Sequence, residues 1–419
     1  MFRRLQLLAI ATALVVAAFS TGEPFLFYLV YLGILVVGGS YVVTRLGLSD
    51  LEAGYAVNQL HGHVGDRIRV TYTLRNTSRI PKPWLEIHNP STLPGGLPGR
   101  ALSVSGSTER SWLVRTPLTR RGHFRVEPLQ VRTGDPFGLF EASASVGHGV
   151  TVVVYPRIEP IPLWRLPATT LEGAQSSPER TLQTTPLATS IRPYAPGDAM
   201  NRIHWKATAR HGDLKVKEFE LEQTADAWIV LDLERGVQAG RGDESTVEAG
   251  VRVAATIADK AVLENRAVGI TTGGLRQAIV PADRGSRQHL KIMQLLAAVD
   301  GDGATPLVET VVASARRIRR GMTVVIVTPS LDTSWVRPIG TLRTRGVGCV
   351  AILLDAGAYE HRDREERARL ASRPAYVPDP ESEAARARRV RALHHALAEF
   401  EVRTYVVGPD SPLGEVLAG

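Results

Sequence analysis

The sequence predicts a multi-domain protein with an N-terminal transmembrane helical hairpin, an antiparallel β-sandwich and a C-terminal doubly wound α/β domain. Two apolar runs stand at the N-terminus, and short stretches that alternate polar and apolar residues follow. In the C-terminal half, apolar segments alternate with amphipathic ones. These patterns are typical of membrane spans, half-buried strands and a βα-repeating sheet. The predicted parts are residues 1–45 (hairpin), 50–156 (β-sandwich), 157–190 (irregular linker), 191–223 (charged segment) and 224–419 (α/β domain).

The predicted hairpin consists of the apolar runs Leu5–Phe19 and Phe25–Val43, which a short polar turn separates. The second run approaches the length of about 20 residues that a span requires, and the first is shorter. A signal peptide is the alternative for the first run, because Arg3 and Arg4 precede it. Since Arg3 and Arg4 precede the first run and Arg45 follows the second, whereas the turn between them holds only Glu23, the positive-inside rule predicts a multi-pass plasma-membrane protein whose bulk is cytoplasmic.

The amino-acid composition argues against one class of partner, nucleic acids, and excludes an internal disulfide bond. The chain of 419 residues carries 50 basic and 42 acidic residues, and only six of the basic residues are lysine. Basic and acidic residues are interleaved and no nucleic-acid-binding motif is present, so we expect no nucleic-acid partner. The single cysteine, Cys349, excludes an internal disulfide and lies in an apolar run typical of a buried strand.

The β-sandwich is predicted from short alternating stretches separated by turn residues. Trp84 and Trp112 are expected in the core or between the sheets, and Asp135–Gly138 is expected to form a turn with a buried Phe137. The Pro-, Thr- and Ser-rich linker that follows lacks periodicity, and Trp164 is expected to pack it against a neighbour. The predicted strands include Arg67–Arg75, Trp84–His88, Ser111–Arg115, His123–Val131 and Thr151–Tyr155.

The α/β domain is predicted from five apolar segments that alternate with five amphipathic helices. In a sheet of this kind the ligand edge lies at the carboxyl ends of the strands. The predicted strands are Ala227–Leu233, Ala267–Thr271, Thr323–Val327, Val347–Leu354 and Val402–Val407. The predicted helices are Val247–Glu264, Gln288–Val299, Leu307–Arg319, Trp335–Arg343 and Glu383–Phe400. The charge-dense stretch Glu360–Arg391 is expected to be a solvated, partly helical arm.

The charged segment 191–223 differs in character from the rest of the chain. It sets Trp205 and Tyr194 among closely spaced acidic and basic residues, together with a Pro-Gly-Asp turn. A packed core would not contain so much charge, because buried charge must be paired or costs several kcal/mol. A solvated linker would not need the aromatic residues. We therefore expect a surface that holds a specific geometry or meets a partner.

The same segment closely resembles the signature of the domain-of-unknown-function 58 (DUF58) family. The resemblance lies in Pro-Gly-Asp, Arg-Ile-His-Trp-Lys-Ala-Thr-Ala-Arg and the following Leu-Lys-Val-Lys-Glu strand, with further support from Arg121–Phe140 and Val154–Ile158. It extends over most of residues 50–410. It implies a bacterial or archaeal protein, often membrane-anchored, that accompanies a MoxR-type AAA+ ATPase. It also implies that the C-terminal domain is similar to a von Willebrand factor A domain.

The von Willebrand A resemblance predicts a metal site that this sequence fills poorly. That fold uses Asp-x-Ser-x-Ser after the first strand, a distant Thr and an Asp after a middle strand, oxygen ligands that suit magnesium. Here Asp232 is present but both serines are absent, Thr305 could supply the threonine, and Asp332 only lies near the third position. We therefore expect a degenerate site at Asp232 and Thr305 and no bound metal or other cofactor. Asp232 is then expected to cap a helix or pair with an arginine.

A membrane-anchored protein-interaction module, acting with a MoxR-type ATPase in the assembly or maturation of a client complex, is the function that these features favour. We expect no catalysis. A metal-dependent adhesion protein is one alternative; a hydrolase using Ser190, His204 and Asp198 is another, although no GxSxG motif supports it. Equally open is a structural role in which arginine–carboxylate pairs lock the segment. The predicted partner-binding residues are Arg192, Tyr194, Asp198, Arg202, Trp205, Lys206 and Arg210.

Overall fold

The structure, a computed structural model, describes residues 2–167, 190–195, 198, 200, 203–218, 226–274, 277–372, 376 and 379–418. The chain divides into two compact units. The first comprises Met1–Ile158 with Met293–Val299, and the second comprises Glu159–Ile292 with Asp300–Gly419. The first unit is helical at its N-terminus and otherwise β-rich, and the second is mixed α/β.

Two helices, α1 (Phe2–Thr21) and α2 (Pro24–Gly47), open the first unit. Among the described residues, α2 alone is long and apolar enough to cross a membrane. Within the described part of α1, the apolar stretch is the shorter Ala9–Thr21. One candidate span is therefore supported, and the predicted second span is not.

The C-terminal part of α2 packs against the β-rich part of the same unit. Ser40, Thr44 and Gly47, spaced four and three residues apart, are buried and so lie on one helical face. Lys82, of which only 1% is exposed, donates hydrogen bonds from its ammonium group to the carbonyl oxygen of Leu46 and, at 3.5 Å, to the Ser49 hydroxyl. The end of α2 is thereby fixed to a strand of the β-rich part, because this cation satisfies one of the last helical carbonyls.

Ten strands form three sheets in the first unit, with the orders β1-β3-β6, β2-β10-β7 and β5-β4-β8-β9. All pairs are antiparallel except β2 with β10. The strands are β1 (Leu51–Val57), β2 (His61–His63), β3 (Arg67–Asn76), β4 (Lys82–His88), β5 (Arg100–Val104), β6 (Glu109–Pro117), β7 (Gly122–Val126), β8 (Leu129–Gly134), β9 (Glu141–Val146) and β10 (Val150–Tyr155).

One apolar core joins these sheets, and β3 shows how the sequence builds it. Along β3, exposed and buried residues alternate over its full length, as the period-two pattern predicts. Trp112 lies beside the core and stacks on Tyr72 at a centroid distance of 5.3 Å. Two predictions are wrong: 44% of Trp84 and 58% of Phe137 are exposed. In the Asp135–Gly138 turn the buried side chain is that of Asp135, because its carboxylate accepts backbone N–H groups.

The second unit contains a hairpin-like pair of strands, a two-stranded ribbon and a six-stranded sheet. Its strands are β11 (Ser190–Pro193), β12 (Lys215–Glu218), β13 (Ala227–Leu231), β14 (Gly240–Arg241), β15 (Glu244–Ser245), β16 (Val268–Thr272), β17 (Ala278–Asp283), β18 (Thr323–Thr328), β19 (Gly348–Leu354) and β20 (Arg403–Val407). Its helices are α3 (Trp205–His211), α4 (Thr246–Leu263), α5 (Ser286–Ala298), α6 (Leu307–Ala315), α7 (Val336–Thr344), α8 (Ala356–Leu370), α9 (Pro380–Glu399) and α10 (Leu413–Val416).

The six-stranded sheet has the order β17-β16-β13-β18-β19-β20 and is parallel except for the edge strand β17. Its five parallel strands are the five predicted from apolar runs, and Cys349 is buried in β19, as expected. Sequence reasoning missed β17, whose residues are only partly buried. It also missed the full extent of α8, a helix carrying i,i+4 ion pairs such as Arg367 with Asp363.

The described beginning of the predicted linker is packed rather than solvated. Trp164 is 2% exposed, which agrees with the expectation that it packs against a neighbour. Glu159 forms an ion pair with Arg252 at 3.3 Å and accepts a hydrogen bond from the N–H of Leu413 at 3.1 Å. These contacts attach the segment to helices α4 and α10 of its own unit.

Candidate functional site

The charged segment folds as a short helix between two paired strands. Strands β11 and β12 pair antiparallel, and the N–H of Tyr194 extends the pairing by donating to the carbonyl oxygen of Leu214 at 2.9 Å. The isolated bridge between Ile203 and Val216 adds a further pairing, and both of these side chains are buried. The Leu-Lys-Val-Lys-Glu strand predicted from the sequence is therefore present as β12.

Helix α3 is short, but both of its ends are capped. The Nδ1 atom of His204 accepts a hydrogen bond from the N–H of Ala207 at 3.0 Å, and Gly212 closes the helix at a φ of 79°. Only glycine adopts this left-handed conformation without strain. The Thr208 hydroxyl accepts the N–H of Lys215 at 3.0 Å, which ties the helix to β12. A helix of only seven residues is not stable alone, so α3 depends on these caps.

The structure places three of the predicted partner-binding residues on α3. Trp205 is 67% exposed, and Lys206 and Arg210 are exposed as well. Tyr194 and Asp198 are half-buried, and the Asp198 carboxylate accepts the N–H of Ala195 at 2.9 Å. The remaining two predicted residues lie partly or wholly outside the described residues: the backbone of Arg192 is part of β11 but its side chain is not described, and Arg202 is not described at all.

The structural alternative required arginine–carboxylate pairs in this segment. Among the described residues, no ion pair joins Lys206 or Arg210 to a carboxylate. The side chains of Arg192 and Arg202 lie outside the described residues, so the structural role stays a prediction.

The proposed hydrolase residues have local backbone partners. His204 uses Nδ1 to cap α3, Asp198 accepts the N–H of Ala195, and the side chain of Ser190 lies outside the described residues. A nucleophile, base and orienting acid must instead be hydrogen-bonded in sequence. This arrangement therefore offers the hydrolase alternative no support.

A second candidate site lies at the carboxyl edge of the six-stranded sheet, where the strand order reverses between β13 and β18. Asp232 follows β13 and is only 3% exposed. Its Oδ2 atom accepts the Thr328 hydroxyl at 2.6 Å, and Oδ1 accepts the N–H of Glu234 at 3.0 Å. Burial raises the pKa of Asp232 to about 6, and these two hydrogen bonds only partly oppose it. The expectation that Asp232 caps a helix or pairs with an arginine is wrong.

Neighbouring loops close this edge through backbone contacts. Gly303 donates its N–H to the carbonyl oxygen of Leu233 at 3.0 Å and accepts the N–H of Arg235 at 2.8 Å. A side chain at position 303 would collide with the backbone of Gly273, so the loops approach too closely for any residue but glycine. Gln238 donates to the carbonyl oxygen of Asp232 at 3.1 Å. Thr328 and Gln238 were missed because their strand-end and loop positions carry no distinguishing signal in the sequence.

No group of three or more His, Cys, Asp or Glu side chains within the described part of the chain is arranged to hold a metal ion. Asp232 already uses both carboxylate oxygens in hydrogen bonds. A magnesium ion would have to compete with these donors for its ligands. We therefore predict that millimolar magnesium does not raise the melting temperature of the chain. Stabilisation by more than about 1 kcal/mol, which mass action gives when the ion exceeds its dissociation constant several-fold, would contradict this prediction.

Comparison with known proteins finds one family similarity that spans the charged segment and most of the six-stranded sheet. Residues 190–361 match the family described as "Protein of unknown function DUF58". This range is narrower than the predicted resemblance over residues 50–410, and it contains both candidate sites. Over these residues the chain is similar to the DUF58 family.

Curated relatives extend the similarity beyond that domain. The chain is 27% identical over 294 residues to the uncharacterized protein YeaD of Bacillus subtilis, covering 68% of this chain and 70% of YeaD. It is 29% identical over 165 residues to the uncharacterized protein Rv1480 of Mycobacterium tuberculosis, covering 37% of this chain and 50% of that protein.

Solved structures give only weak likenesses. The CARDB domain of the PF1109 protein from Pyrococcus furiosus matches at 15% identity with a TM-score of 0.19, covering 25% of this chain and 92% of that domain. Proximal thread matrix protein 1 from the mussel byssus matches at 13% identity with a TM-score of 0.26, covering 31% and 38% of the two chains.

Proposed function

We propose that this chain is a membrane-anchored protein-interaction module whose docking surface is formed by α3 and the two strands that flank it. The observation that carries the proposal is the exposure of Trp205 on a helix held by caps at both ends. Tryptophan and arginine are enriched among the residues that dominate binding energy at interfaces. Further exposed apolar side chains from the same segment are Ile191, Met200 and Leu214.

A surface of this composition suits a protein partner better than a small molecule. It offers apolar side chains beside the cations Lys206 and Arg210, and an interface core that combines aromatic residues, methionine and arginine is typical of protein contacts. The resemblance stated above supplies the partner: a MoxR-type AAA+ ATPase, acting with this chain on a client complex.

The docking test replaces Trp205 and Arg210 with alanine in the full chain. If α3 is a docking surface, co-purification with the cognate MoxR-type ATPase is lost, because truncating such residues typically costs about 2 kcal/mol or more, roughly thirtyfold in affinity. The thermal melt followed by circular dichroism stays unchanged, since both side chains are exposed.

The matched control is the pair Arg369→Ala and Leu370→Ala, which removes one exposed arginine and one exposed apolar side chain from α8. This control should retain binding. If the Trp205 and Arg210 variant instead melts at a lower temperature and becomes sensitive to proteolysis, the segment is structural. Unchanged melting with unchanged binding would contradict both roles.

The sheet supports a von Willebrand A-like assignment for the second unit. In the order β17-β16-β13-β18-β19-β20, the first parallel strand lies next to the switch point at which doubly wound sheets bind ligands. Asp232 occupies that position. With its oxygens engaged by Thr328 and Glu234, the domain serves in this proposal as an interaction platform rather than as a metal-dependent adhesion domain.

The orientation of the anchor follows from the charges beside α2. In this proposal α1 also crosses the membrane, so that Arg3 and Arg4 lie on the same side as Arg45, with Glu23 between the two helices. The positive-inside rule then favours a cytoplasmic location for everything that follows α2. A reporter that is active only in the cytoplasm should therefore be active when fused after Gly419. Activity there of a reporter that works only outside the cytoplasm would overturn this orientation.

A further inference from the structure

The end of α2 lies at the level where a membrane span meets water. Counted from Pro24, about 20 residues at about 1.5 Å each cross the hydrocarbon core, which ends near Val43. Outside the face buried on the β-rich part, this end of α2 exposes the charged Arg45 and otherwise four largely apolar side chains, those of Tyr41, Val42, Val43 and Leu46. The β-rich part of the first unit therefore contacts α2 within the last turns of the span.

A rigid turn from the β-rich part lies beside this end of the helix. The Asp135 carboxylate accepts the N–H groups of Phe137 at 2.8 Å and Phe140 at 2.6 Å. Burial opposes ionisation of Asp135, but these backbone donors outweigh it and lower the pKa of its carboxyl group. The ring of Phe140 meets that of Tyr41 edge-on at a centroid distance of 5.8 Å, so the turn is held against α2 itself.

Two exposed aromatic side chains accompany this contact. Phe137 projects from the turn with 58% of its surface exposed, and Trp84 is 44% exposed. Trp84 is linked to the helix end through Thr133, whose hydroxyl donates to the Trp84 carbonyl oxygen at 2.9 Å and whose side chain lies against Gly47. Large apolar rings such as these are commonly buried in a core, but neither of these two is.

We propose that Phe137 and Trp84 form a second membrane contact, in which the 135–140 turn inserts into the interfacial layer of the bilayer beside the end of α2. The occupant of this surface is lipid because the surface continues the exposed apolar face of α2, the helix that is long enough to span. Aromatic side chains are enriched at this depth, where an apolar ring and polar headgroups can both be accommodated. The contact fixes the orientation of the β-rich part relative to the membrane.

The proposal rests on the membrane anchoring proposed above, so its test reports on both separately. The full chain carries Cys349→Ala and one new cysteine, is labelled with a polarity-sensitive fluorophore, and is reconstituted in lipid nanodiscs. The three labelled positions are Leu35→Cys in the middle of α2, Phe137→Cys in the turn, and His148→Cys. Position 148 is exposed and lies beyond the opposite end of the β8–β9 pair, in which Val146 faces Leu129 and Glu141 faces Gly134.

Labels at positions 35 and 137 should be blue-shifted and lose most of their emission to a nitroxide attached to the lipid chains. The label at position 148 should respond only to a water-soluble quencher. If position 35 is quenched from the lipid but position 137 behaves like position 148, the second contact does not exist while anchoring stands. If position 35 itself is water-exposed, the anchoring proposal fails and the inference fails with it.

Discussion

Raising the pH from about 4 to about 7 should destabilise the six-stranded sheet through Asp232. Its pKa is raised from 3.8 in the unfolded chain to about 6 in the folded one, so the folded state binds the proton more tightly. Stability is therefore complete below the unfolded pKa and is lost as the pH rises through the folded pKa. A shift of about two units corresponds to roughly 3 kcal/mol.

The Asp232→Asn variant isolates this effect, because it keeps the shape of the protonated carboxyl group and cannot ionise. The stability of the wild-type chain relative to this variant should fall by roughly 3 kcal/mol over that range. Hydrogen exchange of peptides from β13 and β18 reports the opening free energy of the sheet alone. The control is Asp332→Asn, which removes an exposed carboxylate from the loop that follows β18. A pH-independent difference between wild type and Asp232→Asn would show that Asp232 is ionised in the folded protein.

Replacing Lys82 with methionine should loosen the junction between α2 and the β-rich part. Methionine keeps an unbranched apolar stem but cannot donate to the carbonyl oxygen of Leu46, and an unsatisfied buried acceptor costs about 1–3 kcal/mol. The pKa of Lys82 is lowered by its burial, which the nearby Asp50 carboxylate partly opposes. The ammonium group is therefore stabilised by its hydrogen bonds to Leu46 and Ser49 rather than by water.

The loss at Lys82 is measured by hydrogen exchange of peptides from the end of α2 and from β4. Faster exchange in these peptides, with unchanged exchange in β13 and β18, is the expected result. The control is Arg75→Met, which removes an exposed cation of β3 from its surface pair with Glu52. Such surface pairs contribute only about 0–1 kcal/mol. Equal effects of the two substitutions would contradict a specific role for Lys82.

Most of the helices and strands that were predicted correctly were predicted from the local periodicity of apolar residues. The alternation of β3 and the apolar runs of β13, β16, β18, β19 and β20 follow from side-chain geometry within one segment. Strand β17 lies at the edge of the sheet, where its residues are only partly buried. Its sequence therefore lacks the apolar run by which the other five strands were predicted. Helix α1 is present where the sequence predicted the first span, and its crossing of a membrane stays a prediction.

The residues of the candidate sites also differ in whether the local sequence could predict them. Trp205, Lys206 and Arg210 were predicted from composition, and all three lie on the seven-residue helix α3, where Lys206 and Arg210, four residues apart, share one face. Thr328 and Gln238 could not be predicted as partners of Asp232, since contacts between distant segments depend on strand order. The exposure of Phe137 was mispredicted because an apolar residue within a turn gives no information about which way the turn faces.

The sequence by itself determined the class of each part, the strand and helix periods, and the unusual character of the charged segment, because these depend on neighbours within a few residues. Only the tertiary structure decided that Lys82 binds the end of α2, that Asp232 is buried against Thr328, and that Phe137 points outward beside α2. Each of these facts joins residues that are far apart in the chain. Burial and hydrogen bonding act on distance in space, so such facts arise only once the strands have paired and the helices have packed.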